Sequence, residues 1–325
     1  SSNTWNGLNR EGELSKKSQK IQVKDIMEVK RINPWQVKKL GGRSRAYVQI
    51  QNGCDHRCTF CIIPFGRGNS RSVPVDKVLG QIQKLVDNGF KEIVLTGVDL
   101  TSWGNDLPNT PRLGSLVKKV LSSTPCLPRL RLSSIDSVEV DEELIDIVIN
   151  EKRFMPHLHL SLQSGDNLIL KRMKRRHSRE HAIKFCQAIK SERPELTFGA
   201  DIIVGFPTES ESMFKNSIEL VRECDLTWLH IFPFSARAGT PASKMPPVSG
   251  QDIKKRSSEL RTLGKKNVTN YLDSLIGREH AVLIEGNGKG RTESFAEVIV
   301  DSALKAGLIK NLTAIGHNGQ KLICS

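Results

Sequence analysis

Six short apolar runs alternate with helical patterns along most of this chain, at 46–50, 92–95, 130–133, 157–162, 198–204 and 227–232. Between them, Val78, Ile82, Leu85 and Val86 recur with the spacing of one buried helical face, as do Leu144, Ile147 and Val148. Ile183, Cys186 and Ile189 mark another helix, and Met213, Ser217, Leu220 and Val221 one more. Strands that alternate with helices form a parallel sheet with right-handed crossovers. Such sheets, open or closed into a barrel, do their chemistry at the carboxyl ends of their strands. The segments 52–61, 96–99, 133–136, 163–165, 205–209 and 233–237 each follow one of the six runs. The fold class expected is therefore α/β, with the functional groups gathered at one end.

The 325 residues suffice for one large domain and a small one, with a core that needs no disulfide staples. A Lys- and Arg-rich helix is expected over 249–274. Beyond it, short apolar runs broken by Gly286, Gly288, Gly290, Gly316 and Gly319 read as a small all-β module. The organisation expected is 1–43 as a polar linker or remnant, 44–270 as the α/β domain and 271–325 as the β module. Within the first stretch only Ile21, Val23, Ile26 and Val29 are grouped apolar residues. No apolar run approaches the roughly 18–20 residues of a membrane span. The start has no apolar core of a signal peptide, so a cytoplasmic chain without a membrane partner is expected. Lys and Arg number 49 against 35 Asp and Glu, a net charge of +14. The surplus lies in 1–270, because 271–325 carries 6 of each sign. Such a surplus fits a polyanion such as nucleic acid, or simply a solvated basic surface.

Of 7 cysteines, Cys54, Cys58 and Cys61 crowd together right after the first run, spaced C-x3-C-x2-C. Cys126, Cys186, Cys224 and Cys324 are scattered, and Cys186 and Cys224 fall on helical patterns as small core residues. An odd total without a leader does not suit a secreted disulfide framework. Three thiolates on one strand-to-helix loop can hold three corners of a cubane iron–sulfur cluster and leave one iron open to a small chelating molecule. Three cysteines with His56 could instead bind zinc. Reduced thiols without a ligand are the third option. Gly53 lets the backbone turn beneath the loop, and Phe60, just before the last cysteine, can flank a planar ligand.

The spacing C-x3-C-x-aromatic-C after the first strand resembles the radical S-adenosylmethionine (SAM) superfamily. Further blocks resemble its methylthiotransferases. These are Gln51-Asn-Gly-Cys54, Cys61-Ile-Ile-Pro64, Arg67-Gly68, Arg71-Ser72, Leu95-Thr-Gly-Val-Asp99, His157-Leu-His-Leu-Ser-Leu-Gln163, Lys171-Arg-Met-Lys-Arg175, Asp201-Ile-Ile-Val-Gly-Phe-Pro207 and Phe232-Pro-Phe-Ser-Ala-Arg237. Cys61-Ile-Ile-Pro-Phe-Gly-Arg-Gly and Leu95-Thr-Gly-Val-Asp-Leu are most similar to the subfamily acting on threonylcarbamoyladenosine in tRNA. The resemblance implies a partial parallel (β/α)6 TIM-like barrel followed by a small TRAM-like β-barrel. It implies one 4Fe–4S cluster on Cys54, Cys58 and Cys61, with SAM chelating the open iron and splitting to a 5′-deoxyadenosyl radical after one electron arrives. The implied reaction adds a methylthio group to C2 of N6-threonylcarbamoyladenosine next to the anticodon. The implied partners are the tRNA anticodon stem-loop and a reductant such as flavodoxin or ferredoxin, with the enzyme a monomer. The alternatives are the same chemistry on isopentenyladenosine or a ribosomal-protein aspartate, or an RNA-binding fragment without full activity.

The resemblance also distributes roles at the strand ends. Thr96, Gly97 and Asp99 fall beside the SAM amino group, and Gln163 reaches ribose and carboxylate while Ser164 can cap a helix. Arg175 belongs to a run of five cations, 171–176, that contacts SAM carboxylate or RNA phosphate, or is a solvated helix face. Asp201, Gly205 and Phe206 lie toward adenine, and Phe60 flanks it. Arg237 is suited to a carboxylate or phosphate, or to a structural acidic partner. The family usually reads Pro-Gly-Glu where this chain has Pro207-Thr208-Glu209.

Family members carry an upstream domain whose three cysteines hold a second 4Fe–4S cluster, which presents the sulfur to be inserted. Residues 1–43 contain no cysteine, so this chain is either a piece of a longer protein or one that has lost that part. The expected outcome with dithionite and SAM is release of 5′-deoxyadenosine without a full yield of methylthiolated tRNA. Chromatography of both products checks it, and a full yield would refute it.

Overall fold

The structure, a computed structural model, describes residues 25–29 and 44–325. Most of the linker expected over 1–43 lies outside the described residues; within it, Ile26–Glu28 forms one 3-10 turn.

Six parallel strands follow one another in sequence and in space. They are β1 (Arg45–Gln49), β2 (Glu92–Thr96), β3 (Arg129–Leu132, resuming as Ser134–Ile135), β4 (His157–Gln163), β5 (Thr197–Val204) and β6 (Leu226–Pro233). Each matches an apolar run, because one face of every strand buries β-branched or leucine side chains under helices. On β4, Leu158, Leu160 and Leu162 enter that outer core, while His157, His159, Ser161 and Gln163 alternate onto the inner face. Helices Val75–Asp87, Glu142–Asn150, Arg179–Glu192 and Glu211–Glu223 lie where the periodicity puts them. One more, Leu113–Ser123, buries Leu113, Leu116, Val117, Val120 and Leu121. Its apolar spacing is as regular as the others, and sequence reading passed over it. Among the described residues no pairing joins β6 back to β1, so the barrel is partial.

The helix Gly250–Leu275 packs outside β6, where Gly264 meets Leu229. It delivers the chain to a closed five-stranded barrel: β7 (Glu279–Gly286), β8 (Lys289–Arg291), β9 (Glu297–Ile299), β10 (Ile309–His317) and β11 (Leu322–Cys324). Gly286 and Gly288 turn the chain with φ of 88° and 68°. Gly290, read from sequence as a break, lies inside β8 where a Cβ would come within 2.6 Å of Val282.

The small barrel sits against the amino ends of the large one. Glu92 is 0% exposed, and its carboxylate lies 3.0 Å from Arg131 Nε, 3.6 Å from Arg129 Nη1 and 3.9 Å from Arg45 Nε. The two most buried guanidiniums then donate to the small barrel's backbone: Arg131 to Thr292 O at 3.0 Å, and Arg129 to Arg291 O at 3.3 Å and to Ala281 O. The loop ending at Phe295 enters the barrel floor. Phe295, held at φ 78°, stacks on His157 at 4.4 Å under the guanidinium of Arg291 at 4.3 Å. Burial, then Arg131, hold His157 well below the usual imidazole range, so the ring it offers is neutral.

Thr208 takes φ 69°, the left-handed conformation that glycine adopts more easily. Its backbone N–H donates to Pro246 O at 3.1 Å, and its hydroxyl accepts from Arg172 Nη1 at 2.7 Å. Those bonds hold the threonine in its unfavourable geometry.

Removing the charge of Glu92 leaves buried guanidiniums uncompensated. Glu92→Gln is expected to lower stability by about 3–5 kcal/mol, the typical cost of breaking a buried pair from one side. Urea unfolding measures it, and a loss below about 1 kcal/mol would mean that these charges do not hold the floor together.

Candidate active site

The carboxyl ends of the six strands converge on two adjoining cavities. The first, of about 160 Å³, is lined by Cys54, Cys58, Phe60, Cys61, Asp99, Gln163 and Arg175, among others. The second, of about 280 Å³, is lined by Phe60, Gln163, Asp201, Ser235 and Arg237, with Phe232 and Phe234. Phe60 and Gln163 belong to both and form the partition.

The cysteine loop is anchored along its length. Cys54 N–H donates to Gly68 O at 3.1 Å, and Gly53 has φ 77° where a Cβ would collide with Asn69 O. Thr59 N–H donates to Met173 O at 3.2 Å, and its hydroxyl to Arg172 O at 2.7 Å. Phe60 packs edge-on against Phe206, which packs against Phe234, with ring centroids 6.4 and 5.5 Å apart.

Gln51, a strand-end residue to which sequence reasoning assigns no role, organises this end. It is 0% exposed. Its amide nitrogen donates to Gly53 O at 2.8 Å and Ser70 Oγ at 2.9 Å. Its oxygen accepts from Val98 N and Asp99 N, both at 2.9 Å. One buried amide thus ties the cysteine loop to the loop after β2. Gly97 makes room for it, since a Cβ there would lie 2.8 Å from Gln51 Oε1.

A charged rim closes the first cavity. His56 Nε2 lies 3.2 Å from Asp99 Oδ2 and 3.4 Å from Glu139 Oε1, and Arg176 reaches Glu139 at 2.7 Å. Hydrogen bonds to Asp99 and Glu139 push His56 up to about 10, so the ring is a cation at neutral pH. The ligand atoms of Cys54, His56 and Asp99 lie within 4.8 Å of one another, and those of Cys58 and Cys61 fall outside that group. A tetrahedral zinc needs donors about 4 Å apart. Cys54, Cys58 and Cys61 form no group that compact among the described residues, as a cluster larger than one ion requires. Burial and the Asp99 carboxylate push Cys54 up to about 12. A thiol that resists ionising this strongly needs a cationic partner to become a ligand.

The other candidates divide by environment. Arg175 lines the first cavity but is held by Asp136 at 2.6 Å and Ser161 O at 2.7 Å. Gln163 ends β4 with φ 67°. Arg237 lines the second cavity with no side-chain partner among the described residues. Asp201 also faces that cavity, and its Oδ1 accepts from His159 and His230. Thr96, Gly97, Gly205 and Phe206 line neither cavity. Thr96 lies in β2, Phe206 is wholly buried behind Phe60, and a Cβ on Gly205 would meet Ile253 at 2.3 Å. Cys126 is exposed, and Cys186, Cys224 and Cys324 are buried away from this loop.

Residues 48–221 match the model of the radical SAM superfamily. Among curated relatives, the threonylcarbamoyladenosine tRNA methylthiotransferase MtaB of Rickettsia prowazekii is 49% identical over 298 residues, 92% of this chain and 71% of the relative. The protein of the same name from Aquifex aeolicus is 35% identical, over 88% of this chain and 69% of the relative. Among solved structures, the radical SAM methyltransferase TsrM of Kitasatospora setae, with cobalamin and a 4Fe–4S cluster bound, superposes with a TM-score of 0.51 at 16% identity. That match covers 61% of this chain and 38% of TsrM, and it supports the barrel fold alone. No helix among the described residues is long and apolar enough to cross a membrane. By its family match, its close relatives and its cysteine-lined barrel mouth, the chain belongs to the radical SAM superfamily and, within it, to the methylthiotransferases.

Proposed function

We propose that this chain is a radical SAM tRNA methylthiotransferase that adds a methylthio group to C2 of N6-threonylcarbamoyladenosine beside the anticodon. The observation that carries the reading is 49% identity, over 92% of the chain, to a relative bearing that activity in its name. The net charge of +14 suits an RNA substrate. The working unit is a radical SAM domain at 44–270 with a TRAM-like β domain at 271–325. It is a cytoplasmic monomer that meets the tRNA anticodon stem-loop and a flavodoxin- or ferredoxin-type reductant.

Cys54, Cys58 and Cys61 hold the 4Fe–4S cluster, and SAM occupies the two adjoining cavities. When bound, the cluster would supply an electron, one SAM the 5′-deoxyadenosyl radical and a second SAM the methyl group, while the inserted sulfur would come from the second cluster expected only in a full-length protein. The protein's own work is orientation and exclusion of water. Asp99, fixed through Gln51, offers a carboxylate beside Cys54 to the SAM amino group. Gln163, on the partition, reaches from one cavity to the other. Phe60 gives the adenine an apolar wall, and Phe206 braces that wall from behind. Arg175 and Arg237 supply positive charge toward carboxylate or phosphate, Arg175 from a fixed position and Arg237 from a free one. Asp201 faces the adenosine side, while Thr96, Gly97 and Gly205 act from behind the cavities, Gly97 by admitting Gln51 and Gly205 by admitting Ile253.

Cys58→Ala is expected to abolish cluster binding after anaerobic reconstitution, with iron falling from about four per chain to background and 5′-deoxyadenosine formation lost. Retention of both would end the reading. Gln51→Leu keeps the volume and removes all five side-chain hydrogen bonds. It is expected to lower cluster occupancy or SAM cleavage about 10–100-fold, as loss of groups that orient metal ligands does. Unchanged iron content together with unchanged cleavage would show that Gln51 positions nothing. Mass spectrometry of tRNA nucleosides from cells with and without the gene tests the substrate. Loss of the methylthio mark from isopentenyladenosine instead would redirect it.

A further inference from the structure

His159, Asp201 and His230 come from three neighbouring strands, β4, β5 and β6, on the inner face of the barrel. In register, Asp201 stands opposite His230 and His159 opposite Gly199. The missing side chain at Gly199 makes room for the imidazole, since a Cβ there would lie 2.5 Å from His159 Nδ1. The other ring nitrogen, His159 Nε2, then meets Asp201 Oδ1 at 2.9 Å. His230 Nδ1 meets the same oxygen at 3.2 Å. The two rings stand 4.6 Å apart, and the three donor atoms lie within 4.8 Å of one another.

Two imidazoles directed at one carboxylate oxygen form a donor set that a single divalent cation can take over from the shared protons. Zinc bonds to nitrogen and oxygen are about 2.0–2.2 Å, which puts tetrahedral donors about 3.3 Å apart. The separations of 2.9 and 3.2 Å are already close to that. Imidazole and carboxylate together suit zinc and its first-row neighbours. Access exists, because the His230 side chain is 61% exposed on the open edge of the barrel, against 15% for His159 and 23% for Asp201. Although burial opposes it, hydrogen bonds from His159 and His230 hold Asp201 down to about 2, and the bond to Asp201 raises His230 above the usual imidazole range, so an entering cation has to displace the shared protons. No cysteine belongs to the group, so it is separate from the thiol loop.

We propose that His159, Asp201 and His230 form a second metal site, for a zinc-class divalent ion with three protein ligands and an open position toward the barrel interior. Asp201 also lines the second cavity, so the open position faces whatever polar ligand enters there. The site rests on strand register and donor geometry and does not depend on which nucleoside is modified.

The test uses the cluster-loaded chain incubated with zinc, freed of excess ion and examined by metal analysis and zinc X-ray absorption. The expected result is about one zinc per chain beyond the iron, ligated by nitrogen and oxygen only. In Asp201→Asn and His230→Ala, zinc affinity should fall at least about tenfold, with iron content and circular dichroism unchanged. The second variant alters an exposed side chain, so its loss of zinc cannot be ascribed to misfolding. Failure to retain zinc, zinc held through sulfur, or equal zinc retention in both variants would overturn the proposal and leave a hydrogen-bonded triad only.

Discussion

A carboxylate sealed from water organises this molecule. Glu92 cannot be hydrated, so its charge must be met by protein, and Arg45, Arg129 and Arg131 converge on it. Those guanidiniums would be equally costly if unpaired. The small barrel answers part of that need with backbone oxygens at Ala281, Arg291 and Thr292. One end of the large barrel thereby becomes dry and fixed. The other end, where each strand runs out into a loop, is free to carry chemistry.

Much of this was legible before any coordinates. The six strands could be read because each buries an apolar face under helices, and the thiol loop because three cysteines fall within eight residues. The helix Leu113–Ser123 carried the same kind of signal and was overlooked. The strand Lys289–Arg291 was obscured by two flanking or internal glycines, which read as punctuation until Gly290 is seen admitting Val282. The docking of the small barrel had no local signature. It depends on arginines whose partners are more than 150 residues away.

The same division holds at the barrel mouth. Residue types and their order after the strands pointed to the two cavities. They did not distinguish side chains that face a cavity from those that support it. Phe206 and Gly205 look like ligand contacts in sequence, and in space they serve Phe60 and Ile253. Gln51 looks like an ordinary strand-end residue and is in fact the bond between two loops. Such roles are set by long-range packing, which spacing along a chain does not encode. The rim of His56, Asp99, Glu139 and Arg176 likewise joins residues spread over 120 positions.

The plug at Phe295 has a further bearing on how a large substrate is handled. With its floor stoppered, the space inside the strands is closed at that end and open at the cysteine mouth and along the unpaired edge between β6 and β1. The small barrel, tied to that floor through Arg129, Arg131 and Phe295, lies at the opposite end from the thiols. A nucleic acid that touched both the thiol mouth and the small barrel would have to run along the outer wall between them.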